Sequence, residues 1–303
     1  MTADRRLVLG PLLYHWPTET RLDYYRRIAE ESPVDEVVLG EVICERRLPL
    51  VREANAKAAE MLEKAGKTVV QATLALPVGP KERAALSEVC ATPGPVEAAE
   101  AGALKHLKGR PHRVGPFVNT YNESTLKVLV ANGAEVVCLP WELGAEAIAT
   151  LSGAARAGGA EVEVQAFGHV PLAISARCYT ARAQGLSRDA CQFVCGNDPE
   201  GMYVKTIDDQ PILRVNGVQT LSVGLQVLVD EVPALLKAEV RRLRLAAEPM
   251  DMVAVAQVYR GLLDGAIEPA EAHQRLKPLL ADREVCNGFY HETAGVNWIE
   301  AAS

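Results

Sequence analysis

The chain has 303 residues, 49% of them hydrophobic, which is enough for one large core or two modest ones. Its net charge of −7, with acids and bases interspersed and only 5% aromatic residues, argues against a nucleic-acid surface. No run of about 20 apolar residues occurs, so no membrane span is expected, and the opening MTADRRLVLGPLLYHWP lacks the apolar stretch of a secretion signal.

Strand-like and helix-like runs alternate along the chain. Residues 7–14 (LVLGPLLY) form a short apolar run, 22–31 have helical charge spacing, and 35–41 (DEVVLGE) read as a strand. Residues 51–65 read as a helix stopped by Gly66, and 67–76 as the next strand. A helix is expected over 80–90, a weak strand near Val96, and a helix over EAAEAGALKHL. A strand is expected at 115–121 (GPFVNTY), a helix at 123–131 and a strand at 134–140. A further helix ends at Gly158-Gly159, and 161–168 form another strand.

Such alternation implies right-handed βαβ units and a parallel sheet. A nucleotide-binding sheet would place a glycine-rich turn after the first strand, but YHWPTETR stands there. An eight-stranded (β/α) barrel fits better, whether complete or modified, as a single domain over 1–303. The eighth strand is expected at 240–246 (VRRLRLA), with its charges structural. It follows an excursion over about 169–239, in which an Asn-Gly turn signals a hairpin and 225–240 read as a helix. A helical tail over about 247–303, with helices at 252–264 and 270–280, packs outside the barrel.

Of the seven cysteines, Cys178, Cys191 and Cys195 stand as C-x12-C-x3-C, and Cys44 lies far upstream in GEVIC. Barrel topology puts both segments past strand C-termini, on one face. Four such sulfurs suit an iron–sulfur cluster or structural zinc, or are small buried apolar residues. Cys138 sits in a strand and reads as core, and Cys90 and Cys286 have no cysteine neighbours in sequence. An odd count in a self-stabilising chain disfavours a disulfide framework, so the reducing cytoplasm is expected.

The stretches EVQAFGHVPLAISARCYTAR, GEVIC, NTYNESTLKVLVANGAEVVCLPWEL and RVNGVQTLS together resemble the collagenase-like peptidase superfamily. Within it they are similar to the smaller subunit of a UbiU-containing pair in oxygen-independent ubiquinone biosynthesis. The resemblance runs from about residue 7 to 290. It implies a (β/α) barrel holding one [4Fe-4S] cluster on Cys44, Cys178, Cys191 and Cys195. It also implies a heterodimer with UbiU, a lipid-binding accessory protein of the same pathway, and hydroxylation of the ubiquinone precursor ring, with the cluster in electron transfer. A non-catalytic cluster-bearing scaffold for UbiU, a peptidase and an RNA-hydroxylation relative are the alternatives. Peptidase relatives carry His-Gly-[Ser/Ala]-x-Cys where Gly168-His169-Val170-Pro171-Leu172 stands here, and no activated Ser–His–Asp set is evident.

Glu41, Asn119, Asn122, Glu142 and His169 fall where barrel loops begin and are candidates for lining a pocket, with helix capping the stronger role for Asn122. Arg177 and Arg182 flank Cys178, suited either to a carboxylated ligand or to offsetting a thiolate-bound cluster.

Overall fold

The fold is described from a computed structural model covering residues 5–300. Seven strands alternate with helices: β1 (Arg6–Leu9), β2 (Glu36–Leu39), β3 (Thr68–Ala72), β4 (Val96–Ala98), β5 (His112–Val114), β6 (Ala134–Cys138) and β7 (Glu161–Ile174). The helices between them are α1 (Thr18–Glu31), α2 (Leu48–Lys64), α3 (Pro80–Cys90), α4 (Ala101–Leu107), α5 (Glu123–Ala131) and α6 (Ala145–Ala157). The excursion holds α7 (Tyr179–Ala183), β8 (Met202–Lys205), β9 (Pro211–Asn216), β10 (Gln219–Val227) and α8 (Val232–Lys237). It is followed by β11 (Arg242–Leu245), α9 (Met252–Asp264), α10 (Pro269–Leu280) and β12 (Val285–Cys286).

Strands β1 to β7 pair with their sequence neighbours in parallel, and β11 pairs in parallel with both β7 and β1, closing an eight-stranded α/β barrel. Each strand alternates its faces. Leu7, Leu9, Val37, Leu39 and Val137 join the large apolar core that also takes in the helices, whereas Val8, Val38 and Val70 belong to a separate cluster inside the barrel. Helix α2 shows why the outer layer forms. Its buried residues Val51, Ala54, Ala58 and Leu62 recur at helical spacing on one face. No helix among the described residues is long and apolar enough to cross a membrane.

Two expectations are corrected. Residues 115–121 are not a strand: Pro116–Val118 form a 3-10 turn ended by Asn119 in the left-handed region, and the fifth strand is His112–Val114 just before it. Residues 225–240 are not one helix, because β10 continues to Val227 and helix begins only at Val232, with Pro233 in its first turn. The β-branched run through Val223 and Val227 favours the extended chain.

The barrel interior below the valines is charged. Arg242 pairs with Glu36, Glu161 and Glu163, Arg244 with Glu163 and Glu97, and Arg113 with Glu36. Burial alone would push the Glu163 carboxyl up, but Arg244, Arg242 and Arg113 beside it hold it below its ordinary value of 4.5. Glu163→Gln should therefore cost about 3–5 kcal/mol, because it leaves buried guanidinium charge uncompensated. With a depressed folded-state pKa, the carboxylate's contribution is fully present above pH 4.5 and is lost as pH falls below it. Denaturant unfolding of both chains at pH 7 and pH 4 checks this: the gap between them should narrow in acid.

Candidate thiol site at the barrel mouth

Cys44 follows β2 and the other three candidate thiols follow β7, so all four leave the C-terminal ends of barrel strands. Cys44 shares the interior apolar cluster with Val42, Ile43 and Val218, and Cys178 packs against it. Cys44, Cys191 and Cys195 are buried, and Cys178 is half-buried. Burial pushes the Cys178 thiol up, opposed by the N–H of Ala181 and reinforced by Cys195 and Cys191. Burial, reinforced by Glu41 and Glu45 and opposed by Arg47, pushes the Cys44 thiol up to about 12.

Arg47 joins the two segments. It is 1% exposed, donates from Nη1 to Leu13 O at 3.0 Å and from Nη2 to Asn216 Oδ1 at 2.7 Å. Burial works against its charge, but Glu41, Cys195 and Cys44 raise its pKa. Asn216 in turn donates from Nδ2 to Cys195 O and Asp198 O, each at 3.2 Å. The next residue, Gly217, donates its N–H to Thr180 Oγ1 at 2.9 Å and accepts from Tyr179 N at 3.0 Å. One hairpin turn thus ties together the Cys44, Cys178 and Cys195 segments. A second clasp is Arg188, which pairs with Glu45, lies 3.8 Å from Glu82 and donates to Ala176 O at 3.0 Å.

Local backbone conformation shapes the C-x3-C turn. Gln192 and Phe193 both have left-handed φ, +49° and +54°, and the Phe193 ring lies 5.8 Å from that of His15. A side chain on Gly196 would meet His15 Cδ2 at 3.1 Å. Cys178 Sγ accepts from Ala181 N at 3.5 Å at the start of α7. A cleft of about 670 Å³ opens beside this turn, lined by Trp16, Tyr24, Gly196, Pro199 and Met250 among others.

Among the other candidates, Glu41 is at the site. It is 2% exposed, accepts from Ile43 N and Cys44 N at 3.0 and 2.9 Å, and lies 3.8 Å from Arg47. Asn119 is exposed and ends the 3-10 turn, Asn122 caps α5 through Thr125 N, and the exposed Glu142 accepts from Tyr121. Arg177 and Arg182 lie on the exposed surface. The arginines beside the thiols are Arg47 and Arg188, which sequence reasoning missed. Cys90, Cys138 and Cys286 are buried elsewhere, on α3, β6 and β12.

His169 is buried in a second polar cluster. Its Nδ1 lies 2.9 Å from Glu248 Oε2, its N–H donates to Glu248 Oε1 at 2.7 Å, and Tyr14 donates to the same carboxylate at 3.0 Å. Burial opposes the charge of Glu248, but His169 and the hydrogen bonds around it hold the carboxyl below its ordinary range. Ser175 accepts from Arg177 N through Oγ, and its own N–H donates to Val218 O. No Ser175–His169 hydrogen bond forms among the described residues.

Arg47, tied to the Cys44 and Cys195 segments, is a buried cation that suits an anionic group. The nearest carboxylate to Arg47 stands at 3.8 Å, and its Nε has no hydrogen-bond partner among the described residues. Neutral thiols would leave that charge poorly compensated. Among the described residues no group of three or more His, Cys, Asp or Glu side chains is arranged to hold a metal ion. A zinc ion draws its sulfurs to about 2.3 Å from one centre, whereas a cubane takes each thiolate on a different iron.

A closed parallel barrel with a thiol-bearing mouth is the class that fold and site define. The chain belongs to Peptidase family U32, whose profile matches residues 26–300. Among solved structures it is similar to the U32 peptidase Mk0906 (TM-score 0.43, 10% identity), with 82% of this chain and 95% of that one covered. It is also similar to the tryptophan synthase complex of Pyrococcus furiosus (TM-score 0.40, 15% identity, 91% and 97% covered). A third likeness is an enolase from Agrobacterium radiobacter (TM-score 0.39, 16% identity), where 54% of this chain spans only 45% of that one. These likenesses are too distant to bear on chemistry.

The hairpin turn can be tested directly. Gly217 and Gly185 share φ +68°, but a Cβ on Gly217 would lie 2.7 Å from Arg47 Nη2, while Gly185 faces open space. Gly185→Ala should cost about 1–2 kcal/mol for the left-handed backbone alone. Gly217→Ala should cost measurably more, because Arg47 must also move. Equal losses in chemical denaturation would show that the turn does not hold Arg47.

Proposed function

We propose that the chain is a UbiV-type iron–sulfur subunit, holding one [4Fe-4S] cluster and acting with UbiU in oxygen-independent hydroxylation of the ubiquinone precursor ring. The observation that carries this reading is the tie that Arg47, Asn216 and Gly217 make between the Cys44 loop and the Cys178–Cys195 segment. Cys44, Cys178, Cys191 and Cys195 would hold the cluster. With a thiolate on every iron, such a group supplies one-electron transfer and leaves no open position for substrate.

The chain's own residues are arranged for that task. The Asn216–Gly217 turn fixes the ligand segments to one another, and Arg188 clamps the Cys191 side against Glu45. The buried valine cluster beneath Cys44 keeps water from the inner side of the site. Proteolysis is disfavoured, since Ser175 makes no hydrogen bond to His169 among the described residues and its Oγ accepts from Arg177 N. The cytoplasm follows from the requirement for reduced thiols, and a lipid-binding accessory protein would deliver the apolar precursor.

Anaerobic purification with UbiU tests the whole reading. About four irons and four sulfides per chain are expected, with a visible band bleached by dithionite. Replacing Cys44, Cys178, Cys191 or Cys195 by Ala should lose the iron, and replacing Cys90 or Cys286 should not. Hydroxylation of a polyprenylated phenol should need both subunits. Stoichiometric zinc, or full activity from cluster-free protein, would overturn the redox role, the latter leaving a scaffold.

A further inference from the structure

We infer that Arg47 is the counter-cation of the thiolate site, fixed in place by Asn216, and that it sets the reduction potential of the group held there. The inference rests on the proposed cluster and deepens it. Three observations carry it. Arg47 is buried and tied to both ligand segments, three residues from Cys44 on its own loop and, through Asn216, to Cys195 O on the other. Its hydrogen bonds go to neutral oxygens, Leu13 O and Asn216 Oδ1, so they orient the guanidinium without cancelling its charge. Its carboxylate neighbour among the described residues, Glu41, is 3.8 Å away and accepts through Oε1 from the N–H groups of Ile43 and Cys44.

The other nearby cations are differently placed. Arg188 is paired with Glu45 and flanked by Glu82, and Arg46 lies 3.7 Å from Asp189, so both are offset by acids. Burial, helped by Arg47 and Arg21, lowers the His15 pKa to about 4, which leaves that ring neutral near pH 7. Arg21, buried too, bonds Asn55 and Tyr14 O, so Arg47 is the buried cation tied to both ligand segments, with Glu41 at 3.8 Å. Reduction adds one electron with no bond made or broken and no proton taken up by Arg47. A fixed cation in a low-dielectric setting stabilises the extra negative charge and raises the potential.

The test is an EPR-monitored dithionite titration of the anaerobic complex with UbiU, with iron content and circular dichroism of each variant. Arg47→Met should shift the midpoint to more negative potential. Arg47→Lys, which keeps the charge but loses the two-pronged hold, should shift it less. Asn216→Asp should mimic the loss of Arg47, since it sets a carboxylate 2.7 Å from Nη2 with little change of shape. Arg182→Met, on the surface near Cys178, should leave the midpoint where it was. If Arg47→Met sheds its iron, Asn216→Asp decides. Wild-type potentials in iron-replete Arg47→Met or Asn216→Asp protein would overturn the inference, as would an equal shift in Arg182→Met. A wild-type chain without a cluster would instead remove the proposed function, and this inference with it.

Discussion

Strand β7 belongs to two sheets, and the site depends on that. Through Phe167 it lies between β6 and β11 as a barrel strand, while Val227 of β10 already pairs with the same residue. Beyond it, β7 leaves the barrel and continues to Ile174 antiparallel to β10. Gly168 sits at the branch with φ +110°, where a Cβ would lie 2.3 Å from Ala246 Cβ. Neither that conformation nor that approach suits a side chain. The extended β7–β10 ladder then carries two things above the barrel mouth: the chain leading to Cys178, and the hairpin turn at Asn216–Gly217 that holds it.

The barrel was legible because its signals are local. Buried strands such as EVVL and helices such as α2 announce themselves by period and composition, and the Asn-Gly turn marked its hairpin. The misreadings have equally local causes. GPFVNTY looks β-rich, but Pro116 and left-handed Asn119 make a turn of it, and the true strand has only three residues, two of them His112 and Arg113. The stretch after Leu225 contains apolar residues at both helical and strand spacing, and only pairing with β7 and β12 decides for the strand.

Of the residues at the mouth, the cysteines and Glu41 stand out in the sequence and Arg47 does not. Arg47 stands in ERRLPL, at the start of a helix, where a charged residue ordinarily faces water. What makes it buried is Leu13 O, Asn216 and the thiols, brought from as far as 169 residues away. A proline two residues on and a cysteine three residues back are the sole sequence hints, and neither names its partners. Arg177 and Arg182 drew attention through proximity in sequence to Cys178, yet the chain around α7 turns both outward. Adjacency in sequence is a weak guide to which cation meets which thiol once a ligand loop contains helical turns.

The two ends of the barrel treat charge in opposite ways. Near the strand N-termini, Arg242 and Arg244 are surrounded by Glu36, Glu97, Glu161 and Glu163. Buried pairs of this kind recover desolvation cost more than they add stability, so this layer is self-contained and calls for no ligand. At the mouth, Arg47 has Glu41 at 3.8 Å, and its Nε lacks a hydrogen-bond partner among the described residues. Between the two lie Val8, Val38 and Val70, an apolar layer that separates the charges of one end from the other. A buried cation left short of counter-charge is costly unless something anionic arrives. In this chain the groups placed to supply that charge are the Glu41 carboxylate, 3.8 Å away, and the thiols of the neighbouring segments.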